Sequence, residues 1–200
     1  MKVNTIKLND FLEIPYIDNF YSEEELADIM HELKFLNKNG KLKLPINTGT
    51  AKDDNAVLKN NRGLFLDEIY AERGISDILR LNRKIFTVEI INAFPCMKAI
   101  KKSNSDTTLI SYYEDSDYYK SHVDGAVLTA LTYFHTLPKA FTGGDLYLRE
   151  YDVTLPCVLN RVYFLSSLIE HEVTPVSMSI KHLSKGFGRY CMSQFLSFRG

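Results

Sequence analysis

The sequence predicts a mainly β protein with supporting α-helices, arranged as a double-sheet jelly roll. From Thr107 onward the chain runs through short segments rich in β-branched and aromatic residues, separated by turns rich in Gly, Pro or Asp. Short strands at that spacing suit two packed antiparallel sheets. Ahead of them lies an amphipathic helical pattern, whose apolar stripe needs a sheet to cover it. With 200 residues, 45% of them hydrophobic, the chain can bury a substantial core, and one domain over 1–200 is the default.

In chain order, Met1–Asp10 mixes polar and apolar residues and contains no run resembling a signal peptide. Ser22-Glu23-Glu24-Glu25 reads as a capping box, with a serine to accept from a backbone N–H and a glutamate three residues on to reach back. Leu26, Ile29, Met30 and Leu33 follow at helical spacing, so a helix is expected to end near Leu36. Asn37–Arg62 is polar and rich in Lys, Asn and Gly, which predicts a long loop with a short strand near Lys41–Leu44. Loops of this length often serve as lids or binding elements. Ser76 to about Phe94 reads as a second helix, stopped by Pro95. Residues 1–106 are therefore expected to be mostly helical support and lid loop, and 107–200 the jelly-roll core. Strands are expected at Thr108–Tyr113, Val127–Phe134, Asp145–Arg149, Arg161–Leu165, Glu172–Val176 and Tyr190–Phe198.

Composition narrows the function classes. A net charge of −1 and a pI of about 6.5 leave no basic footprint, so no nucleic-acid partner is expected. No apolar stretch approaches the roughly 20 residues of a membrane span, so no membrane partner is expected. Cys96, Cys157 and Cys191 are far apart and odd in number, which suits reduced thiols in a cytoplasmic protein.

The chemistry-bearing pattern begins with His122-Val123-Asp124 in a segment that reads as a strand. Residues i and i+2 of a strand share a face, so imidazole and carboxylate can grip one ion. His171 lies 47 residues beyond Asp124, and Arg189 a further 18. Two histidines and a carboxylate on one side of a metal match the facial triad of non-haem Fe(II) oxygenases, although Mn, Co, Ni or Zn could occupy the same groups. Around this triad Tyr113 and Tyr119 precede His122. Phe141-Thr142-Gly143-Gly144-Asp145-Leu146-Tyr147-Leu148 follows, then Arg161-Val162-Tyr163-Phe164-Leu165-Ser166, His171-Glu172-Val173-Thr174-Pro175-Val176 and Gly186-Phe187-Gly188-Arg189-Tyr190-Cys191-Met192-Ser193.

This ordered set resembles the 2-oxoglutarate- and Fe(II)-dependent dioxygenases, in their prolyl-4-hydroxylase-like branch, over about residues 107–198. The pattern departs from the family at two places. Ser116 stands where a glycine is usual, and Ser177–Lys185 lengthens the interval between His171 and Arg189, bringing in Lys181 and Lys185 as other candidate cations. The resemblance implies a double-stranded β-helix. It implies Fe(II) held by His122, Asp124 and His171, with 2-oxoglutarate and O2 as co-substrates. Arg189 would meet the distal carboxylate of 2-oxoglutarate, as a guanidinium fork suits a carboxylate. Ser193, on the same strand face, would add a hydrogen bond, and Tyr133 and Tyr113 would contact the same molecule. Cys191 reads as packing, and Gly143-Gly144 as a tight strand entry. His135 and His182 are not expected to be ligands, and His31 reads as a surface residue.

The implied reaction is hydroxylation of an unactivated C–H bond with release of succinate and CO2. Asp124 favours hydroxylation over halogenation, because halogenating relatives lack the metal carboxylate. The substrate class stays open between an amino acid, a peptidyl residue and a small metabolite. Arg62 and Lys59 are candidates to hold an acidic group. A related oxidation such as desaturation, or a non-catalytic jelly roll that only binds ligand, are the alternatives.

Overall fold

The computed structural model describes residues 2–48, 52–53, 56–93 and 97–198. The first half of the chain carries β1 (Asn4–Lys7), β2 (Glu13–Ile17), α1 (Glu23–Lys38), β3 (Lys52–Asp53), β4 (Ala56–Val57), β5 (Arg62–Phe65), α2 (Asp77–Leu81), α3 (Val88–Ala93) and α4 (Lys98–Lys102). The second half carries β6 (Ser105–Tyr113), β7 (Tyr119–His122), β8 (Leu128–Phe134), β9 (Phe141–Gly143), β10 (Leu146–Leu148) and β11 (Val153–Leu155). It ends with β12 (Val162–Ser166), β13 (His171–Val173), β14 (Val176–Met178) and β15 (Arg189–Ser197). A seven-stranded sheet runs β1-β2-β12-β8-β15-β6-β5, and a four-stranded sheet runs β11-β10-β13-β7. β14 pairs with β9, and β3 with β4. All pairings are antiparallel.

The large sheet is buried on both faces, and strand alternation sorts its side chains into two cores. From β15, Tyr190, Met192 and Leu196 join the helix-side core while Cys191 joins the core between the sheets. From β8, Leu128, Ala130 and Phe134 face the helices, and Leu131 and Tyr133 face inward. Helix α1 supplies Ile29, Leu33 and Leu36 to the helix side. Its capping box forms as the sequence predicts: Glu25 N–H donates to Ser22 Oγ (3.2 Å), and Ser22 N–H donates to Glu25 Oε2 (2.8 Å).

Several elements differ from expectation, each for a local reason. Residues 1–106 do more than support the barrel, because β1, β2 and β5 are strands of the large sheet. Pro15 obscures β2, since proline donates nothing to a ladder. Strand β12 pairs only with Tyr16 and Ile17 and stops short of it. The second helix is broken into α2, a 3-10 turn over Asn82–Phe86, and α3. Asn82 is buried there and donates to Thr108 Oγ1 on β6 (2.9 Å), which draws the turn onto the sheet. The Pro95 stop and Cys96 lie outside the described residues. The strand expected at Glu172–Val176 is two strands in different sheets, parted at Thr174-Pro175. Ser116 holds φ at +65°, the left-handed conformation that a glycine would adopt without strain.

The segment 37–62 is tied to the barrel at two points. Lys43 and Gly63 exchange backbone hydrogen bonds (2.7 and 3.0 Å), so the short strand expected at Lys41–Leu44 shrinks to one bridge. Further on, Lys59 bridges to Tyr119 on β7. Residues 49–51, 54 and 55 of this segment lie outside the described residues. Among the described residues no helix is long and apolar enough to cross a membrane.

Candidate active site

Strands β7 and β13 place His122 and His171 directly opposite each other, with ring centroids 4.4 Å apart. His122 Nδ1 lies 2.8 Å from the Lys120 carbonyl oxygen and His171 Nδ1 2.8 Å from that of Ile169. A carbonyl only accepts, so each Nδ1 carries a hydrogen, and each Nε2 is the nitrogen turned toward Asp124. Asp124 faces both rings, its Oδ1 3.9 Å from His122 Nε2 and its Oδ2 3.8 Å from His171 Nε2. All three ligand atoms lie within 4.8 Å of one another, and this is the one such cluster among the described residues. Burial, with His171 facing it, pushes His122 down to about 4, so its imidazole is neutral and available to a metal at pH 7.

One part of the sequence argument needs correction. Strand β7 ends at His122, so Asp124 does not share a strand face with it. Asp124 is instead placed by the turn that follows. Its N–H donates to the Ser167 carbonyl (3.1 Å), and its Oδ2 accepts from Thr129 Oγ1 (2.6 Å), which in turn lies 3.1 Å from Ser167 Oγ. Thr129 and Ser167 thus orient the carboxylate from behind, a supporting role that no spacing in the sequence signals.

Deeper between the sheets sits Arg189, 1% exposed. Its guanidinium carbon lies 4.6 Å from the Tyr113 ring and 4.8 Å from the Tyr133 ring. Nε and Nη1 have no hydrogen-bond partner, and neither has the Tyr133 hydroxyl. Burial holds the Tyr113 and Tyr133 phenols well above their ordinary range, so both stay protonated and can donate. Register explains the convergence: Arg189 pairs with Tyr113 on β6, and Cys191 with Tyr133 on β8. Gly144, at φ +71°, leaves room for the arginine, since a Cβ there would stand 2.7 Å from Arg189 Cδ. This gives the expected Gly-Gly strand entry a second purpose.

One cavity is lined by His122, Asp124, His171, Arg189, Tyr113, Tyr133 and Ser193 together. The seven residues that the sequence nominated for iron and 2-oxoglutarate therefore line the same space. Cys191 lines it too, beside its packing role. Lys181 and Lys185 are exposed, with Lys185 Nζ donating to the Lys181 carbonyl (2.8 Å), so the insertion does not supply the cavity's cation. His135 is buried against Phe141, and its Nδ1 lies 2.9 Å from the Thr136 carbonyl. His182 packs on Phe187, and His31 is exposed. None of the three joins the cluster. Arg62 is engaged by Glu114 at 3.3 Å. Sequence reasoning missed Ser111 and Leu131 as lining residues and the parallel stack of Tyr119 on the His122 ring, with centroids 3.6 Å apart.

A donor set of two imidazoles and a carboxylate suits Fe(II). A buried cation with unsatisfied N–H groups suits the far carboxylate of a dicarboxylate. Solved structures share this architecture. A prolyl hydroxylase from Trichoplax adhaerens, in complex with a hypoxia inducible factor oxygen degradation domain peptide fragment, superposes with a TM-score of 0.65 at 17% identity, over 92% of this chain and 83% of that one. The viral collagen prolyl hydroxylase from Paramecium Bursaria Chlorella virus-1, in a 2OG complex, gives 0.54 at 14% identity, over 94% and 96%. The chain has the double-stranded β-helix fold of these prolyl hydroxylases. NgTET1 in complex with 5mC DNA has it as well, with a TM-score of 0.53 at 13% identity, over 93% and 72%. No protein-family model and no curated protein sequence matches the chain.

Proposed function

We propose that this protein is an Fe(II)- and 2-oxoglutarate-dependent dioxygenase that hydroxylates an unactivated C–H bond, releasing succinate and CO2. The observation that carries the reading is the single cavity joining the His122–Asp124–His171 cluster to the unsatisfied guanidinium of Arg189. His122, Asp124 and His171 would hold the iron. Bound iron, with 2-oxoglutarate and O2, supplies the oxidising chemistry: the keto acid is oxidised to succinate and CO2, and one oxygen atom enters the substrate. Arg189 holds the distal carboxylate, with the Tyr133 hydroxyl and Ser193 as further donors. Tyr113 and Tyr133 flank the guanidinium and keep water from it. Thr129 and Ser167 keep Asp124 turned toward both imidazoles. The segment Asn37–Arg62 would act as a lid over bound substrate, a reading supported by Thr48 and Lys59 at the cavity mouth.

The substrate class spans an amino acid, a peptidyl residue and a small metabolite, and a structural neighbour was solved with a peptide. The expected exclusion of nucleic acid is withdrawn, because another neighbour of this fold was solved with DNA. The free, buried thiols of Cys157 and Cys191 support a reducing compartment such as the cytoplasm.

Anaerobic reconstitution with Fe(II) and 2-oxoglutarate tests the reading, followed by a screen for substrate-dependent succinate release. We expect one iron per chain. His171→Ala should abolish most iron binding, whereas His135→Ala and His182→Ala should leave it intact. Full iron occupancy in His171→Ala would refute the assignment.

A further inference from the structure

A second chamber opens above the metal cluster, at the barrel mouth. His122 and Asp124 form part of its floor, and Phe65, Leu109 and Phe195 give it an apolar wall. Its volume is about 310 Å³, at the lower end of the usual range of small-molecule sites (about 300–1,000 Å³). Among the described residues the one cation lining it is Lys59, and Lys59 is 2% exposed. The ammonium donates to the Thr48 carbonyl and lies 5.1 Å from the Tyr119 ring centroid. Among the described residues no carboxylate is within ion-pair distance of it. Among the described residues the only carboxylate lining the chamber is Asp124, which is committed to Thr129 and faces the two imidazoles.

A buried ammonium without a counter-charge is costly, and an unpaired charge at the edge of a ligand chamber is best offset by the ligand itself. One fixed positive charge matches a carboxylate better than a phosphate group, which carries about −1.5 to −2 at neutral pH. We propose that Lys59 anchors the carboxylate of a small organic-acid substrate, whose apolar part lies along Phe65, Leu109 and Phe195 beside the metal ligands. This deepens the oxygenase reading and rests on it for the word substrate. Burial alone pushes the Lys59 amine down to about 8, which agrees with a site that lacks its anion. The anchor is rigid, because Lys59 is bridged through its backbone to Tyr119, whose ring is stacked on His122.

The test uses protein loaded with redox-inert Zn(II) and saturated with 2-oxoglutarate, so that Arg189 is occupied. Calorimetric titration then compares 4-methylpentanoate with 4-methylpentanamide, and with the peptide Gly-Gly-Leu, in wild type, Lys59→Met, Lys59→Gln and Lys59→Arg. Thermal melts check that each variant folds. We expect the acid to bind at least about tenfold tighter than the amide, a difference of about 1.4 kcal/mol. That preference should vanish in Lys59→Met and Lys59→Gln and persist in Lys59→Arg. The peptide should bind more weakly than the free acid. Equal binding of acid and amide, no binding of either, or a preference that survives in both neutral variants would overturn the proposal. Tighter binding of the peptide would overturn its small-molecule part. Failure of 2-oxoglutarate itself to bind is read in a separate titration and counts against the oxygenase reading, while the acid–amide comparison still reports on Lys59.

Discussion

Replacing Arg189 by Met should move folding and binding in opposite directions. In the free protein Arg189 is 1% exposed, with Nε and Nη1 lacking partners. Its two aromatic neighbours offer cation–π attraction of about 0.5–2 kcal/mol each. Against that stands a cost of about 1–3 kcal/mol for each buried donor left unsatisfied, beyond the desolvation of the charge itself. Methionine is shorter and uncharged, and replacing even a paired buried charge by apolar residues is often neutral or stabilising by about 1–4 kcal/mol. We expect a gain of about 1–2 kcal/mol, which for a chain of this size raises Tm by about 2–8 °C. Binding of 2-oxoglutarate should go the other way. A carboxylate buried without its partner costs about 3–5 kcal/mol, or roughly a 10²- to 10⁴-fold increase in Kd. Calorimetry without ligand gives the first quantity, and titration of 2-oxoglutarate into anaerobic metal-loaded protein gives the second. A Kd within about threefold of wild type would refute the role of Arg189. A Tm lowered by several degrees would show that its donors are satisfied in the free protein.

Other perturbations test other parts of the structure. Ser116→Gly should stabilise by about 1 kcal/mol, because it relieves a left-handed φ of +65°; the midpoint of urea unfolding reads it. Thr129→Val keeps the shape of β8 and removes the 2.6 Å hydrogen bond to Asp124, so metal affinity should fall by about 10- to 100-fold while the melting profile of the metal-free protein changes little. Lys59→Met should stabilise the free protein in a pH-dependent way. The amine titrates near 8 when folded and at 10.5 when not. Between those values the unfolded chain binds more protons, so wild-type stability rises with pH. The penalty removed by methionine, up to about 3 kcal/mol, is therefore full below pH 8 and fades toward pH 10.5. Urea unfolding at several pH values would show a constant gap instead if Lys59 were not the titrating group.

The parts of the site that sequence reasoning reached are those whose direction is set by strand parity. Arg189, Cys191 and Ser193 alternate with Tyr190 and Met192, and the apolar members of the second set announce which face meets the helices. Face parity then sends the first set between the sheets. The histidines were legible for a related reason, since each belongs to a strand and each needs only its backbone neighbour two residues earlier to fix its tautomer. Asp124 does reach the two histidines, but not by the strand geometry expected of it. It stands beyond the end of β7, and what turns it is Ser167, 43 positions away in the chain. The broken second helix and the proline-bearing β2 were hidden because one buried side chain, Asn82, and one partial ladder decide them. Local propensity carries neither.

Lys59 shows where parity gives out. It lies in an irregular stretch rich in polar residues, where a lysine reads as solvated, and nothing in the neighbouring pattern turns it inward. One bridge to Tyr119 does so. Hydrogen bonds from Asn60 N–H to the Tyr118 carbonyl (3.1 Å) and from Lys120 N–H to the Leu58 carbonyl (2.7 Å) extend that contact. The segment 58–60 thus docks on the strand that carries His122, and the ammonium is held in a fixed relation to the His122–Asp124–His171 cluster. A lid that closed as a whole would have to break these bonds, each worth about 1 kcal/mol net. Movement on substrate binding is therefore expected at Leu44–Thr48, while Lys59 itself stays in place. Hydrogen exchange resolves this: amides on the Leu44–Thr48 side should gain protection with ligand, and those of Asn60 and Lys120 should already be protected without it. Fast exchange at Asn60 and Lys120 in the free protein would mean that the anchor forms only with the ligand.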